Sequence, residues 1–240
     1  MFSRIINLDA RTDRWDRLKH LAAQYPTLNI QRFSAKKPGS DELLSLRAYS
    51  EEKSGQMRRS HESIRGKGAV GCSMSHIAIW KEFLASNAEF ALVLEDDIST
   101  SVDLGQMVQD FVQDTDWDVA LLGWCGSLHK FWGNARGSTV IPFPASCGYA
   151  GSHAYMLKRK SAEILLKDAL PLEMQIDYYI QAQTEKNNLK MKKTLRKKIR
   201  QVWAGGSDVF TVCYFCEPKF FLLGIIFTFL ISFFILKKYF

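Results

Sequence analysis

The sequence predicts an α/β domain on a mainly parallel sheet, followed by one C-terminal transmembrane helix. Three observations carry this expectation. Apolar strand-like runs alternate with stretches of helical periodicity. One run, Phe90-Ala91-Leu92-Val93-Leu94, is apolar throughout and stops abruptly at Glu95-Asp96-Asp97. A charge-free run, Phe220 to Leu236, lies near the C-terminus. Alternation of strands and helices indicates a parallel sheet covered by helices. A continuously apolar strand suits the centre of such a sheet.

In chain order, Ser3 to Leu8 is apolar and β-branched and reads as a short buried strand. Asp9 to Tyr25 follows with helical spacing, placing Trp15, Leu18, Leu21 and Ala22 on one face, and Pro26 ends it. Ile30 to Phe33 is a weaker strand. Lys36 to Gly68 is polar and charged and reads as a long surface loop with one helical turn, a candidate mobile lid. Cys72 to Ser86 is an amphipathic helix, with Ile77, Trp80 and Leu84 set for burial. Trp117 to Trp124 and Gly148 to Leu157 read as further strands, and Ser161 to Leu166 begins a helix. No internal repeat is visible.

A chain of 240 residues that is 47% hydrophobic suits one globular domain with a sizeable core, or a domain plus an anchor. The net charge is +7, but eight basic residues crowd into Lys186 to Arg200 without an acid. The rest of the chain is close to neutral, so a uniformly basic nucleic-acid-binding surface is not supported. Five scattered cysteines do not make a disulfide framework, and a reducing compartment is the default. Cys213 and Cys216 form a lone C-x-x-C pair with no second pair to complete a zinc site. Packing, palmitoylation and metal or redox use all remain open for them.

Phe220 to Leu236 is seventeen residues long, lies between Lys219 and Lys237-Lys238, and has no polar face. That is the lower limit of a membrane span, with flanking lysines able to snorkel. No cleavable signal is visible at the N-terminus.

Glu95-Asp96-Asp97 ends the best strand in the chain. Ligands of open α/β sheets bind outside the carboxyl ends of strands. Clustered carboxylates there suit a hard cation, Mg²⁺ or Mn²⁺, that also takes diphosphate oxygens. A merely solvated acidic exit fits the same residues, as does other metal-phosphate chemistry. Neither GxxxxGK[ST] nor GxGxxG occurs, which removes the common nucleotide-binding alternatives.

Four segments taken together resemble glycosyltransferase family 25. They are Ile5-Ile6-Asn7-Leu8-Asp9-Ala10-Arg11-Thr12-Asp13-Arg14; Gly68-Ala69-Val70-Gly71-Cys72-Ser73-Met74-Ser75-His76; Leu92-Val93-Leu94-Glu95-Asp96-Asp97; and Ala154-Tyr155-Met156-Leu157 with Ser161-Ala162 and Ile176-Asp177. Their order and spacing agree over roughly residues 3 to 180. The resemblance implies a GT-A type, Rossmann-like fold. It implies inverting transfer of a hexose, galactose for preference, from a UDP-sugar donor to a glycan, glycoprotein or hydroxylysine-type acceptor, with Mn²⁺ or Mg²⁺. It places Asn7, Asp9, Arg11 and Arg14 beside the nucleotide, with the two guanidiniums suited to phosphate oxygens. It places Ser75 and His76 at a helix start facing the donor. Asp97 becomes the principal metal ligand, with Glu95 and Asp96 directed at donor or metal. Inverting transfer needs a carboxylate base, for which Asp177 is the candidate and Glu173 the second. An N-terminal helix carboxylate favoured by the dipole is the plainer reading of Asp177.

The expected organisation is a catalytic domain over 1–185, a basic juxtamembrane segment over 186–219 and a transmembrane helix over 220–236. The basic flank would be drawn to anionic membrane lipid and would place the catalytic domain in the cytosol. The terminal Lys237-Lys238-Tyr239-Phe240 resembles a dilysine retrieval signal, which would instead require a lumenal domain. A catalytically inactive relative, acting as a membrane-tethered interaction protein, is the competing class.

Overall fold

A computed structural model describes residues 1–39, 66–114, 116–125, 140–142, 150–194 and 199–202. The expected span over 220–236 and most of the expected lid, residues 40–65, lie outside these. Among the described residues no helix is long and apolar enough to cross a membrane. Residues Met1–Ala204 cluster as one unit; Gly205–Phe240 forms a second and lies outside the described residues.

The chain opens with β1 (Phe2–Asn7), α1 (Thr12–Gln24) and β2 (Ile30–Ser34). Then come α2 (Gly66–Ala85), β3 (Phe90–Glu95), β4 (Ile98–Thr100) and α3 (Leu104–Gln113). β5 (Val119–Cys125), β6 (Val140–Pro142), β7 (Ala150–Lys158) and α4 (Arg159–Lys167) follow. α5 (Ile176–Lys186), β8 (Met191–Thr194) and β9 (Ile199–Gln201) complete the set.

One sheet runs in the order β2-β1-β3-β7-β5-β8-β6, with β4 and β9 paired at its side. β1 pairs parallel with β2 and β3, and β5 pairs parallel with β8 and β9. β7, however, runs antiparallel between β3 and β5. β6 and β4 also pair antiparallel, with β8 and β9 respectively. The sheet is therefore mixed, which corrects the mainly parallel expectation. The reason is physical: a strand buried on both faces is apolar throughout whichever way it runs. Hydropathy records burial and not direction.

Ala91 to Leu94 of β3 are fully buried, as the continuous apolar run requires. On one face Ile5, Leu92, Leu94 and Met156 pack with Leu18 of α1 and with Leu104, Val108 and Phe111 of α3. Asp103 caps α3 by accepting from the Gln106 amide at 3.1 Å. On the other face α2 packs against β1, β3, α4 and α5 and buries Ile77, Trp80 and Phe83 completely or nearly so. Burying each such side chain stabilises the fold by about 1.5–3 kcal/mol before entropy is counted.

β8 and β9 lie inside the stretch expected to be a basic juxtamembrane segment. Three of its lysines are matched by acids from elsewhere in the fold. Lys186 pairs with Asp168 at 3.0 Å, Lys192 with Asp114 at 2.7 Å, and Lys190 with Asp116. A run that reads as unpaired charge in sequence is here partly neutralised in space.

α2 starts six residues before the expected position. Gly71 stood just outside the expected helix, yet it is needed inside it. A Cβ on Gly71 would lie 2.6 Å from the Lys36 carbonyl oxygen, a backbone atom that cannot swing away. The Lys36 amide donates to Ser75 Oγ at 2.8 Å, holding the two segments together. Gly71→Ala is expected to destabilise the fold by about 1–3 kcal/mol through this overpacking. A shift in the denaturant midpoint measures it; an unchanged midpoint would show that the close approach is dispensable.

Candidate active site

β1 and β3 end side by side. Ile6 pairs with Glu95, so Asn7 and Asp96 are the next neighbours. Asn7 Nδ2 donates to Asp96 Oδ2 at 2.7 Å, and Arg14 of α1 donates to Asp96 Oδ1 at 2.7 Å. Arg17 donates to the Asp96 carbonyl at 2.8 Å. Asp96 is buried, with both carboxylate oxygens engaged. Arg32 on β2 donates to Asn7 Oδ1 at 2.8 Å and pairs with Asp9 at 3.0 Å. Ser34 donates to Asp9 at 2.6 Å. Arg11 grips Asp13 with two nitrogens, both at 3.0 Å, and this hydrogen bonding pulls Asp13 down to about 2.

Asn7, Asp9, Arg14 and Asp96 therefore form one polar network across β1, β2, β3 and α1. Arg11 stands at its edge. Arg17, Arg32 and Ser34 belong to it and were not singled out in the sequence. The parallel register gave a usable signal: Ser34 is the neighbour of Asn7, and Arg32 of Ile5. The Arg14–Asp96 pair is 7% and 9% exposed. Removing one partner of a buried ion pair typically costs about 3–5 kcal/mol. Arg14→Met is expected to lower stability by about 3 kcal/mol or more on this ground, read by chemical denaturation. A loss below about 1 kcal/mol would mean that Asp96 does not depend on this guanidinium.

Asp97 turns the other way. β4 pairs with β9 through Ile98 and Gln201. Gln201 Nε2 donates to Asp97 Oδ2 at 2.8 Å, and the Val202 amide donates to the Asp97 carbonyl. Asp97 Oδ1 is buried and receives no hydrogen bond. Burial first, then the charge of Glu95, pushes the Asp97 carboxyl up to about 7. The Gln201 bond only partly offsets this. A buried carboxylate oxygen without a donor, beside other carboxylates, fits a hard divalent cation. The residues present are thus compatible with Mn²⁺ or Mg²⁺ at Asp97.

Glu95 is the last residue of β3. Its Oε1 accepts from Ser152 Oγ at 2.6 Å and lies 3.4 Å from His76 Nε2. Burial alone would raise its pKa; the nearby His76, with the Ser152 bond, outweighs that and leaves it lowered. His76 Nδ1 shares a 2.7 Å hydrogen bond with the Tyr155 hydroxyl, which also accepts from Trp80 Nε1 at 3.0 Å. Ser75 and His76 do not stand at a helix start. They lie in the middle of α2, where the backbone amides serve the helix, so those amides do not face a donor. The Ser75 hydroxyl donates to the Gly71 carbonyl at 2.7 Å, and both side chains are fully buried. The expectation failed because α2 already begins at Gly66.

Asp177 sits in the first turn of α5. Its Oδ2 accepts from the Gly151 amide at 2.8 Å and its Oδ1 from the Tyr178 amide at 2.9 Å. Gly151 has φ 101°, a conformation that favours glycine. Burial raises the Asp177 pKa, the two amides oppose it, and the charge of Glu95 adds to it. Asp177 is therefore close enough to Glu95 to feel its charge. Burial first, then the charges of Glu95, Asp177 and Asp97, pushes the Cys72 thiol well up. Gly151, bonded to Asp177, and Ser152, bonded to Glu95, are neighbours on β7, so these two carboxylates meet at one end of that strand, with Cys72 within 4.8 Å of Glu95.

Residues 2–180 match the family model described as glycosyltransferase family 25, LPS biosynthesis protein. The chain belongs to glycosyltransferase family 25. Procollagen galactosyltransferase 1-B of Xenopus laevis is 37% identical to it over 62 residues, covering 24% of this chain and 10% of that protein. Procollagen galactosyltransferase 2 of Mus musculus is 26% identical over 125 residues, covering 50% of this chain and 20% of that protein. The matched stretch thus spans a tenth to a fifth of these relatives' length. Residues 1–349 of S. aureus TarS, solved in complex with UDP-GlcNAc, superpose with a TM-score of 0.50 at 15% identity. That match covers 89% of this chain and 62% of the other. It bears on the fold alone: the mixed sheet of this family 25 chain resembles that domain's fold.

Proposed function

We propose that this chain moves a hexose, galactose in the first instance, from a UDP-sugar to a hydroxyl of a glycan or hydroxylysine-type acceptor, with inversion and with Mn²⁺ or Mg²⁺. The observation that carries the reading is the buried, unbonded Oδ1 of Asp97 at the end of a central strand. Family membership and the names of the galactosyltransferase relatives support it.

Asp97 Oδ1 would hold the cation, while Gln201 fixes the other oxygen of the same carboxylate. When bound, the cation supplies positive charge to the departing diphosphate. Asp96 keeps the β1, β3 and α1 ends in register through Asn7 and Arg14. Asn7, Asp9 and Arg11 border the space beside that network, where guanidinium and amide donors suit phosphate and ribose oxygens. Asp177 takes the acceptor hydroxyl proton as the new bond to the anomeric carbon forms and the bond to the diphosphate oxygen breaks.

Incubating the chain with a panel of sugar nucleotides and Mn²⁺ tests the reading. UDP release with UDP-galactose, abolished by chelation, is the expected result. A folded chain that releases no nucleotide from any donor would leave the inactive, tethered interaction protein as the better account.

The same reading keeps a membrane span over 220–236 behind a juxtamembrane stretch, but its catalytic domain runs past the expected boundary at 185 to take in β8 and β9, because Gln201 bonds to Asp97. Its catalytic domain lies on the cytosolic side, with anionic lipid against the basic flank. Protease treatment of intact membrane vesicles checks the topology. A domain that resists digestion until detergent is added would reverse it and favour the dilysine reading of Lys237-Lys238.

A further inference from the structure

We propose that Cys72, His76 and Glu95 form a second metal site, for a borderline-soft transition ion such as Zn²⁺, separate from the hard-cation role of Asp97. Cys72 and His76 are four residues apart on α2, which puts both on one face of the helix, one turn apart. Glu95 meets that face from the end of β3. The sulfur, the imidazole nitrogen and a carboxylate oxygen all lie within 4.8 Å of one another. Bonds of about 2.0–2.3 Å at a tetrahedral zinc would bring ligand atoms to about 3.3–3.7 Å apart. The 3.4 Å between His76 Nε2 and Glu95 Oε1 already meets this. Only a small closure of the thiol side remains.

The second observation is the state of His76. Its ring is fully buried, and Nε2 makes no hydrogen bond of acceptable geometry. That nitrogen is aimed at the carboxylate and the thiol. The bond between Nδ1 and Tyr155 fixes the ring orientation, as outer partners do for metal-bound histidines. Ser152 does the same for Glu95. The donor set decides the class of ion. One thiolate and one imidazole suit Zn²⁺ or Co²⁺ better than Mg²⁺ or Mn²⁺. Binding would release the Cys72 thiol proton to solvent as the metal–sulfur bond forms. Three protein ligands leave a fourth position open for an outside ligand.

Cobalt titration of the full chain tests the site, because a Co²⁺–thiolate bond gives a near-ultraviolet charge-transfer band. The background carries Cys213→Ser and Cys216→Ser, which removes the other close pair of thiols. About one equivalent of Co²⁺ should give the band, and Zn²⁺ should displace it. Cys72→Ser should abolish it while circular dichroism stays native. Asp97→Asn should keep it, since Asp97 is outside the donor set. A folded parent chain without the band overturns the site, as does a band that survives Cys72→Ser. UDP release is read separately, so failure here leaves the glycosyl-transfer reading standing.

Discussion

Asp97→Asn is expected to abolish most turnover while leaving the chain folded. A cation that stabilises a leaving group is commonly worth several kcal/mol, which corresponds to about 10²–10⁴-fold in rate. The amide keeps an acceptor for Gln201 but loses the anionic oxygen that would face the metal. Stability should move the other way. Burial and the charge of Glu95 raise the Asp97 carboxyl from 3.8 to about 7. The folded state therefore holds a proton that the unfolded state gives up between those values. The stability linked to that proton is fully present below 3.8 and is lost as pH rises through about 7. In chelator at pH 8 the parent chain carries an uncompensated buried charge, and the Asn variant does not. A variant that is inactive with Mn²⁺ yet at least as stable in chelator separates metal binding from folding. Near-normal, metal-dependent turnover in Asp97→Asn would sink the assignment.

Much of this site was legible because its residues stand at strand ends. The run Phe90 to Leu94 is long, apolar and cut off by acids, so both the strand and its functional end could be read. Asn7 was singled out through the family resemblance, and it too ends a strand. What failed was anything set by tertiary pairing. The direction of β7 leaves no trace in its own hydropathy, so the sheet read as mainly parallel. β8 and β9 are short and basic, and they become strands only because β5 and β4 offer edges to pair with. Gln201 was invisible for that reason: its partner, Asp97, is 104 residues away. Lys190 and Lys192 look like a charged tail until Asp116 and Asp114 are brought beside them. The glycines at 66 and 68 read as a loop because propensity counts against them, and Gly71 stood outside the expected helix. The close approach of Lys36 shows why Gly71 sits inside a helix instead. The inward turn of Asp96 follows from Arg14, which sequence placed near phosphate and the structure places on a carboxylate.

Asp177→Ala should remove transfer without removing donor binding. The carboxylate is bonded to the Gly151 amide, next on β7 to Ser152, which bonds to Glu95. A positioned base typically contributes about 10²–10⁴-fold, so turnover should fall by that factor. UDP affinity, measured without acceptor, should hold. A structural role competes with the catalytic one, because Asp177 also accepts from the Gly151 and Tyr178 amides. Losing it leaves a buried amide unsatisfied, at a cost of about 1–3 kcal/mol. Stability alone therefore does not separate the roles; the pH profile does. A base must be ionised, so kcat should rise with pH through the Asp177 pKa. Burial places that pKa above the ordinary 3.8, even against the two amide hydrogen bonds. The parent chain should show this acid limb, shifted upward, in the transfer reaction. In Asp177→Ala the residual rate should lack the limb. If the variant binds UDP, stays folded and transfers at the parent rate, Asp177 is a helix-terminal acceptor of backbone bonds and nothing more. If the rate drops but the acid limb survives unchanged, the proton goes to another carboxylate, and Glu173 is the first to test.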